Sequence, residues 1–317
     1  MPTSEQIAAL SPRRWFWLSL AITIAAGSLA VLGTVSLNLY GLYGDVRGKS
    51  YRVLSVDDRW SKYLLSMNYV PANFDAILVG SSKTQNWDTS RMTVAKVYNG
   101  SIEGANITEA KSIAENLLAK RKLRLVIFSI WPYMTATAGF KSGELTPAMY
   151  YGSFGSLRLY RSYADYLLFL LHRANFDTTP AGTERVKPLE PFTTLWQQNR
   201  PMPTKSYYPG GFKINPAAYQ QYAALIIQAR QNGAQLVRFR PPVFKQDYEP
   251  FQQEWKTYEE SMDKLFAPTD PLIDFLTPEY AAFRADRSNF IDGAHLTSKA
   301  GDWLIDEMDR QLRPLIK

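Results

Sequence analysis

Between Trp15 and Gly44 no residue carries a charge, and from Leu18 to Leu39 the chain is almost wholly Leu, Ile, Val, Ala, Gly, Ser and Thr. A run of that kind constrains the rest of the chain, because it has to leave water and take its flanks with it. As a helix it would reach about 45 Å, more than the roughly 30 Å hydrocarbon core of a bilayer. Trp15 and Trp17 at one end, with Tyr40 and Tyr43 at the other, are placed as interfacial aromatic anchors. A cleaved signal peptide is the rival reading, with Arg13-Arg14 as its basic n-region and small residues from Ala25 to Ala30 near a cut site. The apolar run continues well past that point, which favours an uncleaved anchor. We therefore expect an N-terminal cytoplasmic tail at 1–14, a transmembrane anchor at 15–44 and a connector at 45–73. Local charge does not orient the span: Arg13 and Arg14 precede it, while Arg47, Lys49 and Arg52 follow it.

Composition removes several kinds of chemistry. The chain has 317 residues, 46% of them apolar, which is ample for a full core. It has no cysteine, so disulfides, thiolate nucleophiles and zinc–thiolate sites are excluded. Its two histidines stand apart, with no His/Asp/Glu cluster at ligand spacing, and neither a metal nor a cofactor is expected. The net charge of +7 is spread along the chain, and no nucleic-acid motif accompanies it. A diffuse positive surface suits anionic lipid or an acidic polymer; solubilising charge is the plainer alternative.

After the connector, short apolar runs alternate with amphipathic stretches. Strands are expected at 76–80, 96–99, 123–130, 235–240 and 272–275, the third near-continuously apolar as a doubly covered parallel strand should be. Asn106-Ile107-Thr108-Glu109 reads as a capping box, and Asn215-Pro216 as an N-cap followed by proline at the first helical position. Strands alternating with helices indicate an α/β fold with a parallel sheet. Residues 135–215 break the alternation and read as an insertion, with one strongly apolar helix from about Leu157 to Arg173 and then a Pro/Thr/Gln-rich stretch. His172, at the end of that helix, reads as structural.

Two segments carry the chemistry. The apolar run Ala76-Ile77-Leu78-Val79 ends in Gly80-Ser81-Ser82, the way a nucleophilic serine is presented at the carboxyl edge of a parallel sheet. Far downstream stands Asp292-Gly293-Ala294-His295. A serine hydroxyl is a poor nucleophile until a base takes its proton, and histidine is the residue that titrates near neutrality. Asp292, three residues before His295, can hold the ring in the required tautomer. Either serine of the turn could be the nucleophile on this spacing alone. Lys83, directly after them, is expected to point to solvent. Arg238 and Arg240 alternate towards the carboxyl edge of their strand, where they could bind an anionic substrate group bidentately or be held structurally in salt bridges.

On these residues the chain resembles the SGNH (GDSL-like) hydrolase superfamily, and within it the membrane-anchored members linked to acylation of cell-envelope polysaccharides. The resemblance covers about 74–310. It rests on Ile77-Leu78-Val79-Gly80-Ser81-Ser82, on Asp292-Gly293-Ala294-His295-Leu296, and on Asn99-Gly100-Ser101-Ile102-Glu103-Gly104 as the block that supplies a glycine to the oxyanion hole. It implies a three-layer α/β fold over 74–317, a nucleophile on the second serine, Ser82, and an oxyanion hole built from the Ser82 and Gly104 backbone N–H groups. The chain departs from the family at the third block. Most members carry Gly-x-Asn-Asp there, whereas Ser129-Ile130-Trp131-Pro132-Tyr133 stands here, so the hole works with two backbone donors or Trp131 or another side chain substitutes.

The resemblance implies an acyl-Ser82 enzyme on a single-pass anchor in the inner membrane, facing the periplasm or cell exterior. It would transfer acetyl to a cell-surface polysaccharide, or remove it as an esterase, with a multi-pass membrane acyltransferase and a polysaccharide synthase as expected partners. A non-catalytic SGNH-like scaffold in a polysaccharide assembly complex is the reading from another class.

Overall fold

The computed structural model describes residues 11–53, 58–141, 143–171, 178–183, 212–293 and 295–316. The first element, α1 (Pro12–Leu37), is long and apolar enough to cross a membrane, about 39 Å at the helical rise, and its side chains face outward almost throughout. It stops at Asn38, which adopts a left-handed conformation at φ 45°, a role in which asparagine is tolerated. The helix is therefore shorter than the expected 15–44 span. Tyr40 is not an interfacial anchor either: it is buried against Trp60 and donates to Ser162 Oγ at 2.7 Å. Tyr43 packs on Tyr150.

The expected connector is part of the core. Its helices α2 (Asp58–Met67) and α3 (Tyr69–Asn73) bury Trp60, Leu64, Leu65, Tyr69 and Val70. Five strands follow, β1 (Ala76–Val79), β2 (Val97–Asn99), β3 (Leu125–Ser129), β4 (Gln235–Arg240) and β5 (Leu272–Asp274). They form one sheet in the order β2-β1-β3-β4-β5, every pairing parallel, with Leu78 opposite Asn99 and Val79 opposite Phe128. Side chains alternate across it. Ile77, Val79, Val126, Phe128 and Leu236 join one core with α2, α5 (Ile107–Lys120) and α9 (Pro216–Gln231). Leu78, Leu125, Ile127, Val237 and Phe239 face the other core, closed by α13 (Ser298–Leu312) through Leu304, Ile305, Met308 and Leu312. The result is three layers, with helices on both faces of the sheet.

The caps sit where the sequence puts them. Asn106 and Glu109 close a capping box at the start of α5, and Asn215 accepts the Ala217 and Ala218 N–H groups at the start of α9. Between β1 and β3 the chain also makes the single-turn helix α4 (Ser82–Gln85), and after β3 come α6 (Pro132–Ala136), α7 (Pro147–Tyr151) and α8 (Leu157–Leu170). Thr178–Thr183 covers the outer strand, with the Ala181 carbonyl accepting the Asn99 N–H at 2.7 Å. Residues 142, 172–177 and 184–211 of the expected insertion, His172 included, lie outside the described residues. The carboxyl half adds α10 (Lys245–Tyr248), α11 (Gln252–Asp263) and α12 (Ala281–Ala285). Because every strand is parallel, all five carboxyl ends open on one edge, where the serine turn and the histidine loop meet.

Candidate active site

Gly80 lets β1 turn without a side chain. A Cβ there would collide with Thr84 Oγ1 and lie 2.7 Å from Ser101 Oγ. Ser81 stays extended and pairs with Ile102 through an isolated parallel bridge, its side chain buried at 1% exposure. Ser82 then opens α4 and is only partly buried. Of the two serines, only Ser82 presents its oxygen to the open edge.

The turn is held from below. Asn99, fully buried at the end of β2, donates to the carbonyls of Thr84, Gln85 and Trp87. Thr84 Oγ1 meets Ser101 Oγ at 2.6 Å. Asn86, directly after α4, donates to the Leu296 carbonyl at 2.7 Å, which ties the serine turn to the histidine loop. That loop closes on itself: Ile291 N–H donates to the His295 carbonyl at 2.8 Å, and Phe290 pairs with Leu296. Asp292 Oδ1 accepts the His295 backbone N–H at 2.7 Å, so one carboxylate both shapes the turn and faces the ring.

The three side chains sought in the sequence come together. His295 Nε2 lies 3.0 Å from Ser82 Oγ across a separation of 213 residues, and His295 Nδ1 lies 2.6 Å from Asp292 Oδ2. With the proton on Nδ1 donated to the carboxylate, Nε2 is left as the acceptor for the serine hydroxyl. Burial pushes the Asp292 carboxyl up, but the hydrogen bond from His295, the charge of Lys83 and the His295 backbone N–H outweigh it. The group is held well below the ordinary carboxylate range. Asp292 is therefore ionised and fit to steady a histidinium. The His295 and Asp292 side chains keep 31% and 30% of their surface, so the site is open rather than a closed pocket.

The Ser101–Gly104 loop lies alongside, brought in by the Ser81–Ile102 bridge. Gly104 takes φ +57°, a left-handed conformation that favours glycine. Among the described residues, neither the Ser82 nor the Gly104 N–H donates a hydrogen bond within the fold. Helix α2 anchors this loop. Asp58 Oδ2 accepts both the Glu103 N–H at 3.0 Å and Gln85 Nε2 at 2.7 Å, Arg59 donates to the Glu103 carbonyl at 2.9 Å, and fully buried Lys62 donates to the Ser101 carbonyl. On the outer side Lys141 donates to the Gly104 carbonyl and to the Tyr133 hydroxyl.

One sequence expectation is corrected here, and three candidate residues find their partners. Lys83 does not point to solvent: it is 8% exposed, its ammonium 4.9 Å from the centre of the Trp131 ring, which offers a cation its negative face. Trp131 is buried against Trp255 at 5.2 Å with its carbonyl accepting from Tyr258. Arg240 is taken up by Asp263 at 2.6 Å, Asp274 at 2.7 Å and Glu259 at 3.4 Å. Arg238 pairs with Asp263 at 3.3 Å and donates to the Asp270 carbonyl. Carboxylates on α11 and β5 thus neutralise both arginines, and the structural alternative holds for them. Asp58, Lys62 and Asn86 were not singled out from the sequence, because no local pattern marks a residue whose partner lies on another element.

No family model matches the chain, and no curated protein does. Among solved structures, the crystal structure of TesA matches at 15% identity with a TM-score of 0.38, covering 76% of this chain and 99% of that one.

Proposed function

We propose that the chain is an SGNH-type serine acyltransferase, held at a membrane by α1 and working through an acyl-Ser82 intermediate. The Ser82–His295–Asp292 relay at the open edge of a parallel sheet is the observation that carries this reading. Ser82 Oγ attacks the acyl carbonyl carbon while His295 Nε2 takes its proton. The developing oxyanion is received by the Ser82 and Gly104 N–H groups, each such donor typically worth about 3 kcal/mol. Collapse breaks the bond to the leaving group, which takes the proton back from His295. A sugar hydroxyl then attacks the acyl-Ser82 carbonyl by the same route in reverse, and the ester forms on the acceptor.

A partly exposed site beside an anchor suits a long, hydrated acceptor such as a cell-surface or exported polysaccharide, with acetyl as the group carried. A multi-pass membrane acyltransferase working with a polysaccharide synthase is the partner that such a donor route calls for, on the periplasmic or outer side of an inner membrane. With no third-block asparagine the hole has two backbone donors, which stabilise the tetrahedral intermediate whichever acceptor attacks, so the choice between sugar and water rests on what the open site holds next to Ser82.

A fluorophosphonate probe on the full-length protein tests the nucleophile. Labelling is expected in the wild type and in Ser81→Ala and should vanish in Ser82→Ala; no labelling at all would favour the scaffold. Acyl transfer to oligosaccharide in preference to water distinguishes transferase from esterase. A His295→Ala strain that kept its surface polysaccharide fully acetylated would overturn the proposed acceptor.

A further inference from the structure

Helix α8 has two apolar sides. Leu159 and Ser162 turn inward, where Ser162 Oγ receives the Tyr40 hydroxyl. On the far side Leu157, Tyr160, Ala164, Leu167, Leu168 and Leu171 follow the spacing i, i+3, i+7, i+10, i+11, i+14, which gathers them within an arc of about 100°. All six are exposed, Leu157 at 88% and Leu167 and Leu171 at 57% each. A surface helix in water buries its apolar stripe and shows a polar one. This helix buries one side and leaves the more apolar side bare.

What lies against the bare side follows from where the helix sits. Tyr163 of α8 bonds the Thr34 hydroxyl, one turn inside the carboxyl end of α1, and Tyr40 just beyond that end bonds Ser162. α8 is therefore fastened to the last turn of α1. That helix is about 39 Å long against a hydrocarbon core of roughly 30 Å, so about one turn at each end reaches the interfacial zone. Near that junction α1 exposes Leu32, Val35 and Leu37, while α8 exposes its stripe. Arg161 flanks the stripe and Tyr160 lies within it, a basic and an amphipathic side chain suited to headgroup level.

We infer that α8 is an interfacial helix that lies at the boundary of the leaflet on the domain's side, beside α1, a second lipid contact that fixes the tilt of the domain. This rests on the reading of α1 as a membrane anchor, and on no part of the acyl chemistry.

The chain has no cysteine, so single-cysteine variants of the full-length protein can each carry one environment-sensitive nitrobenzoxadiazole label. Val31→Cys reports α1, Leu167→Cys reports the stripe, and Arg310→Cys on α13 reports the opposite face of the sheet. The variants are reconstituted into vesicles of phosphatidylethanolamine, phosphatidylglycerol and doxyl-labelled phosphatidylcholine. The Val31 and Leu167 labels should shift to the blue, be quenched by the doxyl lipid and resist aqueous iodide, with the reverse at Arg310. Lipid quenching at Val31 but iodide quenching at Leu167 would overturn the inference and leave the anchor standing. A Leu167 label shielded from both quenchers would mean that protein covers the stripe, and would overturn it too. Iodide quenching at Val31 would remove the anchor, and this inference with it.

Discussion

Lys83 shows how much one side chain can change at the scale of a residue. Its ammonium is folded back over Trp131, and its charge joins the His295 contacts that keep Asp292 ionised. The folded Asp292 carboxyl sits below its unfolded value, so its contribution is present above the ordinary carboxylate range and is lost as pH falls through the folded value. Lys83→Met removes one of the charges holding it there. The Asp292 carboxyl should then titrate at a higher pH than in the wild type, as followed by NMR of a carbon-labelled carboxyl. Asp292→Asn should cost about 10⁴-fold in the acylation burst with a chromogenic acetate ester, because the amide can hold the wrong histidine tautomer. An unmoved Asp292 titration in Lys83→Met would show that His295 alone keeps the carboxylate charged.

At the scale of elements, the nucleophile turn depends on a helix the sequence offered only as part of a connector. Asp58 on α2 holds both the Glu103 amide and Gln85, and so couples the loop bearing Gly104 to the turn bearing Ser82. Asp58→Ala leaves these buried donors without their acceptor. We expect about 1–3 kcal/mol of lost stability in thermal unfolding. The acylation rate should fall by about tenfold, well short of the roughly 10²–10³ for deleting an oxyanion donor. What was legible beforehand was local: apolar runs gave all five strands, Asn106 and Glu109 gave the start of α5, and Asn215-Pro216 the start of α9. The Asp-x-x-His turn was legible for the same reason, since Asp292 and His295 meet within one loop. Pairings across the chain were not. The acids that occupy Arg240 come from Glu259, Asp263 and Asp274, and the Asn86 tether reaches Leu296; neither leaves a mark on its own segment.

Over the whole molecule, pH enters stability through Glu259 as well as through the site. Burial, with Asp274 and Asp263 nearby, pushes its carboxyl up to about 7, against the pull of Arg240, which lies closer to the two aspartates. The fold therefore binds a proton there that the unfolded chain has released between its ordinary 4.5 and about 7. That contribution is full below the unfolded value and is lost as pH rises through the folded one. The melting temperature should fall across this window in the wild type, and the fall should flatten in Glu259→Gln. Equal slopes would place the carboxylate as an ordinary ion-pair partner of Arg240. A last consequence comes from the junction at Asn38, whose side chain accepts the Leu42 and Tyr43 N–H groups while Leu39, Tyr40, Val46 and Val53 are packed away. Nothing between Leu37 and Val53 acts as a swinging stalk. With α1 seated in a bilayer, Ser82 would ride at one fixed height above it, and meeting a donor would become a matter of drift within the plane of the membrane.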